Sequence, residues 1–150
     1  MRNGLKKELL IFQAAIGYKY FMYSDKIKYW VEISDDDLET AEILLDKNKL
    51  LYCGYLLQQS IEKILKAYYQ KKMNAYPSRT HNLIYLCEVT EIIAELNNAH
   101  EDLIYSLNPL NLETRYPEYR EKIAKSLTKE KIKELLDKTK EFQKWIKQKL

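Results

Sequence analysis

Helix-breaking residues are scarce in this 150-residue chain, with only three glycines and three prolines. That scarcity argues against the turn-dense β-sandwiches and barrels and favours long uninterrupted helices. Cysteine is equally sparse. Cys53 and Cys87 stand among apolar residues far apart in sequence, which reads as two buried, reduced thiols and no disulfide framework. With only two histidines and no CxxC or HxxxH spacing, a metal site or metal cofactor has no support. A long apolar run is also missing. The stretch LLIFQAAIGYKYFMY, residues 9–23, is broken by Gln13 and Lys19 and is followed by no small-residue cleavage site. It is shorter than the roughly 20 apolar residues that span a bilayer. The expectation is therefore no membrane attachment and a cytoplasmic location. Residues 1–23 read as an extension or extra helix before a domain at 24–150, and Met22 could itself open a self-sufficient unit.

What is present suits one compact domain with a real core: 46% hydrophobic and 31% charged residues, and a net charge of +3. The charge is uneven. Residues 118–150 carry 11 Lys/Arg against 6 Asp/Glu, in the alternating pattern of a solvated helix face.

Apolar periodicity places a first helical stripe at Ile27, Trp30, Val31, Leu38, Ala41 and Leu45, with Ser34 as its small member and Lys47-Asn48-Lys49 as its end. A second helix over about 50–72 buries Leu57, Ile61 and Ile64. Its other face carries Tyr55, Gln58, Gln59, Glu62, Lys63, Lys66 and Tyr69. A helix apolar on one side and semi-aromatic on the other is not a simple surface helix, so that face is expected to meet a second copy of the chain. Within it, Glu62, Lys63 and Lys66 form an ion-pair set, with Asp37 the expected partner.

A connector at 74–80 precedes a third helix over about His81–Leu96, with Ser78 or Thr80 as N-cap and Leu83, Leu86, Cys87, Thr90 and Ile93 inward. A short fourth helix falls at about 101–107. The loop-like stretch 108–117 follows, and then a last helix capped by Thr128. The fold class expected is all-α, an up-and-down antiparallel bundle of about five helices.

These elements, taken in series, resemble the HEPN domain family. The resemblance is carried by Tyr29-Trp30, Asp37-Leu38 with Ala41 and Leu44-Leu45, Gln58-Gln59, Glu62-Lys63 and Leu65-Lys66-Ala67. It continues through Thr80-His81-Asn82-Leu83 with Leu86 and Thr114-Arg115-Tyr116-Pro117, covering roughly residues 25–148. The resemblance implies a helical bundle that is commonly a homodimer. It also implies binding of a nucleotide or nucleic acid, and pairing with a minimal nucleotidyltransferase in an arrangement like a toxin–antitoxin system.

Other members of the family are metal-independent ribonucleases whose motif is an arginine followed four to six residues later by a histidine. This chain departs from that motif. Its arginines are Arg2, Arg79, Arg115 and Arg120, its histidines His81 and His100, and no pair has that spacing. The expectation is thus a chain that is not an enzyme, with RNA cleavage or a purely structural scaffold as the alternatives. For the anion, Arg79, His81, Arg115 and Tyr116 are the candidates: arginine forks match phosphate, the start of the third helix offers backbone N–H groups, and Tyr116 could stack on a base.

Overall fold

A computed structural model describes residues 2–112 and 116–150, without the side chains of residues 2, 3, 20, 21 and 23. Six α-helices account for most of the chain: α1 (Arg2–Asp46), α2 (Leu50–Met73), α3 (Leu83–Val89), α4 (Asn98–Leu107), α5 (Pro117–Ser126) and α6 (Lys129–Lys147). Two 3₁₀ turns, Ile92–Glu95 and Asn108–Leu110, join them, and no strand occurs among the described residues. The all-α bundle expected from periodicity is the observed architecture.

The α1–α2 hairpin turns within three residues. Asn48 takes a left-handed backbone (φ 56°), a conformation asparagine tolerates better than most side chains. The Lys49 N–H then donates to the Leu44 carbonyl at 2.8 Å. α2 becomes the axis of the bundle and touches every other helix. It can do so because Gly54 lets its neighbours close in: a Cβ there would sit 3.1 Å from Leu110 Cδ1 and 3.2 Å from Ile132 Cδ1.

Leu57, Ile61 and Ile64 of α2 are fully buried against Ala41 of α1 and Ile132, Phe142 and Ile146 of α6. One polar clasp crosses this core. The Ser34 hydroxyl donates to the Ser60 carbonyl (2.7 Å), the Ser60 hydroxyl to the Ser34 carbonyl (2.9 Å), and Gln143 Nε2 to Ser34 Oγ (3.0 Å). Both hydroxyls are thereby satisfied, which is what permits them inside. Cys53 and Cys87 are free and buried. Burial pushes the Cys53 thiol up to about 11, and burial with the nearby Glu88 charge pushes Cys87 up to about 12.

Several boundaries differ from those read off the sequence. The third helix stops at Val89, because the Thr90 hydroxyl bonds back to the Leu86 carbonyl (2.7 Å) and Glu91 turns left-handed (φ 59°). That turn shifts the inward register by one, so Ile92 is buried where Ile93 was expected. The cap of α3 is Asn82, which accepts the Tyr85 N–H at 3.1 Å, while Thr80 accepts the Asn82 N–H. α4 begins at Asn98 on an Asn97 cap, and α5 is a separate helix in what read as the approach to the last one. Thr128 caps α6 as expected. α1 runs unbroken through residues 23 and 24, so the expected extension and the first core helix are one rod. No helix among the described residues is long and apolar enough to cross a membrane.

Candidate functional site

Glu62 lies at the middle of α2, the most enclosed helix, and its side chain is only 1% exposed. A carboxylate that deep must be paired. Helical spacing provides the first partner, Lys66 one turn on, with Nζ 2.7 Å from Oε1. Lys63 Nζ stands 3.6 Å from the same oxygen. The second oxygen faces the connector, where His81 Nδ1 lies 3.0 Å from Oε2. Gln59 Nε2 donates to Oε2 at 3.3 Å. Burial alone would push the Glu62 carboxyl up, but the Lys66 hydrogen bond, the two lysine charges and the His81 hydrogen bond outweigh it. Glu62 is therefore held below the usual carboxylate range and ionised.

The glutamine pair ties this charge to the connector. Gln58 Nε2 donates to the His81 carbonyl (3.1 Å), Gln59 Nε2 to Gln58 Oε1 (2.7 Å), and Lys63 Nζ to Gln59 Oε1 (2.6 Å). Trp30 of α1 closes one side, donating from Nε1 to Gln70 Oε1 at 3.0 Å, with Lys66 Nζ 5.6 Å from its ring centre. Asp37 of α1 is half-buried, and its carboxyl is pushed up to about 6. Burial is the main cause; Asp36 and Glu62 add to it and Lys63 opposes it. The cluster opens outward at His81, whose side chain is 39% exposed, and at the half-buried Lys63.

The face expected to meet a second copy is in large part filled from within the chain. Gln58, Gln59, Glu62 and Lys66 are buried by the chain's own α1 and connector, and Tyr55 and Tyr69 are half-buried. Glu62 is paired with Lys66 and His81, and Asp37, the partner expected for this ion-pair set, lies where the Lys63 charge acts on it.

The anion-site candidates are only partly brought together. His81 joins the Glu62 cluster, and Arg79 is exposed on the same connector. Tyr116, at 81% exposure, immediately precedes α5, which lies beside the first turn of α2 through Arg120 donating to the Tyr52 hydroxyl (3.3 Å). Arg115 lies outside the described residues. Backbone N–H groups at the start of α3 were expected to be available to an anion, but two are already committed. Asn82 holds the Tyr85 N–H, and Asn108 Oδ1 accepts the Leu83 N–H at 2.8 Å. The Glu62–His81 pairing itself was missed, since 19 residues separate the two. The signal available was a glutamate on a face too rich in amides and aromatics to be solvated.

The HEPN domain family model matches residues 27–149, beginning inside α1 where the helix enters the bundle. Among solved structures, the chain is similar to the crystal structure of TT1696 from Thermus thermophilus, with a TM-score of 0.65 at 20% identity. That similarity covers 83% of this chain and 98% of the other, and at such identity it speaks to the fold alone. No curated protein matches the chain.

Proposed function

Because the chain belongs to the HEPN domain family, we propose that it is a non-catalytic subunit that binds the phosphates of a nucleotide or RNA, alongside a minimal nucleotidyltransferase in a toxin–antitoxin-like pair. The observation that carries this reading is the arrangement around Glu62. One fully buried carboxylate holds two lysines and a histidine, and of these Lys63 and His81 reach the mouth. Two ammonium groups against Glu62 leave the mouth cationic while Asp37 is protonated, below its pKa of about 6, and an ionised Asp37 offsets the second ammonium above it. A phosphate entering there gains charge-assisted hydrogen bonds from donors whose positions the glutamine pair already fixes.

Titration calorimetry with ATP, AMP and a short single-stranded RNA tests it. Binding should weaken about tenfold in Lys63→Ala, the loss of roughly one charge-assisted contact. Absence of heat with all three ligands, together with no nucleotidyltransferase on co-purification, defeats the proposal.

A metal-independent ribonuclease is the second reading, favoured by one contact. Glu62 at 3.0 Å fixes the proton of His81 on Nδ1, which gives Nε2 the lone pair. That is the tautomer a general base needs to take a 2′-hydroxyl proton, with Lys63 as the cation for the developing phosphorane charge. The reading predicts RNA cleavage that survives EDTA and vanishes in His81→Ala. An inert wild-type protein ends it.

A further inference from the structure

From Ile27 to Leu45 one stripe of α1 faces the bundle, through Ile27, Trp30, Ser34, Leu38, Ala41 and Leu45. Lys26 stands over the Tyr76 ring at 3.9 Å, and ahead of it every residue from 4 to 19 is exposed. Within that stretch, residues 9–18 hold a single polar side chain, Gln13. Leu9 is 58% exposed, Leu10 65%, Ile11 61% and Phe12 64%. Four successive residues complete a turn of helix, so this rod is apolar around its circumference. A helix apolar all round suits an apolar medium better than the one-sided cover of a protein groove, and exposed apolar surface of this extent marks an interaction site.

Charge separates the rod from the body. Residues 2–24 hold Arg2, Lys6, Lys7 and Lys19 against Glu8 alone, a net +3 that equals the net charge of the whole chain, so residues 25–150 are neutral in sum. Two such rods repel each other, and an anionic cover suits them. Three of the cations precede the apolar run and Lys19 follows it, inside the aromatic-rich stretch YKYFMY at 18–23. Long lysine stems and aromatic rings both suit a boundary between an apolar and a polar layer.

We propose that residues 4–22 of α1 lie in the surface of an anionic phospholipid bilayer and hold the bundle against it from the water side. The expectation of no membrane attachment rests on spanning length, and no described helix has that length. A helix lying in one leaflet does not need it. Helices of this kind sink about 5–10 Å into the boundary of headgroups and acyl chains. The rod is roughly 10 Å across, so that depth covers most of its circumference, as side chains exposed on all sides require. Lys6, Lys7 and Lys19 then extend their stems to the lipid phosphates. The uncharged run of about 15 Å is half the hydrocarbon thickness, which keeps the rod in the plane. The proposal stands apart from the ligand reading, since none of its residues lies in the Glu62 cluster.

Co-sedimentation of the full chain with vesicles tests it, using phosphatidylcholine alone and phosphatidylcholine mixed with phosphatidylserine. Wild type should bind the mixed vesicles far better, and the binding should fall as salt rises. Replacing Lys6 and Lys7 together by glutamine should weaken it about 25-fold, two cations at about fivefold each. Phe12→Glu should weaken it at least tenfold, with an unchanged circular dichroism spectrum because exposed Phe12 supports no core. Phe12→Trp should bind as wild type does, and its added emission should shift to the blue and be quenched by bromine on the lipid chains. Absence of binding to phosphatidylserine vesicles at low salt overturns the proposal. Binding untouched by Phe12→Glu, or Phe12→Trp emission unmoved by vesicles, also overturns it, since either leaves only adsorption through charge. Wild-type mass that rises with concentration, without lipid binding, gives the rod to a second copy and overturns it as well.

Discussion

Replacing Glu62 by glutamine keeps the shape of α2 and removes one charge. Lys66 is then left as an ammonium only 7% exposed, with no anion in contact. Breaking a buried pair by removing one partner typically costs about 3–5 kcal/mol. The glutamine carbonyl can still accept from Lys66, returning roughly 1 kcal/mol. The expected loss is therefore about 2–4 kcal/mol, or 1–2 M in the urea midpoint at a slope near 2 kcal/mol/M. Lys66→Met should cost less, about 1–2 kcal/mol, because Glu62 keeps His81 at 3.0 Å, Gln59 at 3.3 Å and Lys63 at 3.6 Å. The double variant should lie above the sum of the singles by more than about 1 kcal/mol, since the two residues share one contact. The pH dependence gives an independent signature. Glu62 is held below its unfolded value of about 4.3, so its contribution is complete above that pH and fades as pH falls through the lower folded value. The gap between wild type and Glu62→Gln should accordingly narrow below about pH 4. A Glu62→Gln protein within about 0.5 kcal/mol of wild type at pH 7, or strict additivity in the double variant, refutes the buried-pair argument.

Asp37 titrates in the opposite sense. Its carboxyl is raised to about 6, so between pH 4 and 6 the folded chain binds more protons than the unfolded one and stability falls as pH rises. Discounted for its partial exposure, the burden at pH 7 is about 1 kcal/mol. Asp37→Asn should raise stability by that amount at pH 7 and by nothing near pH 4, measured as paired urea midpoints. Glu91 holds a left-handed backbone (φ 59°) that glycine adopts without strain. Glu91→Gly should stabilise by about 0.5–1 kcal/mol net of its exposed ion pair with Lys72, seen as a rise in the thermal midpoint.

The helices were legible because three forces that act locally agree on them: apolar period, absence of breakers, and caps such as Thr128. Legibility failed where a single residue took an unfavoured backbone. Nothing in the composition around Thr90-Glu91 announces a left-handed glutamate, and that one turn moves burial from Ile93 to Ile92. The polar face of α2 shows the deeper limit. Its periodicity says only that Gln58, Glu62, Lys66 and Tyr69 share a side. What covers that side was open, because a second molecule and the chain's own connector satisfy the same pattern. It takes the fold to show that the connector carries His81 back over Glu62. For the same reason Arg79 and His81 could be grouped from sequence, while the glutamate that governs His81 could not.

A buried ion pair is a poor device for stability alone, since well-packed apolar residues of similar volume often do as well or better. What the Glu62 network does hold is the connector. Gln58 donates to the His81 carbonyl, Glu62 meets the His81 ring, and Lys26 lies against Tyr76. The first two place His81 on the most enclosed helix of the bundle, the rigid support a binding or catalytic group requires.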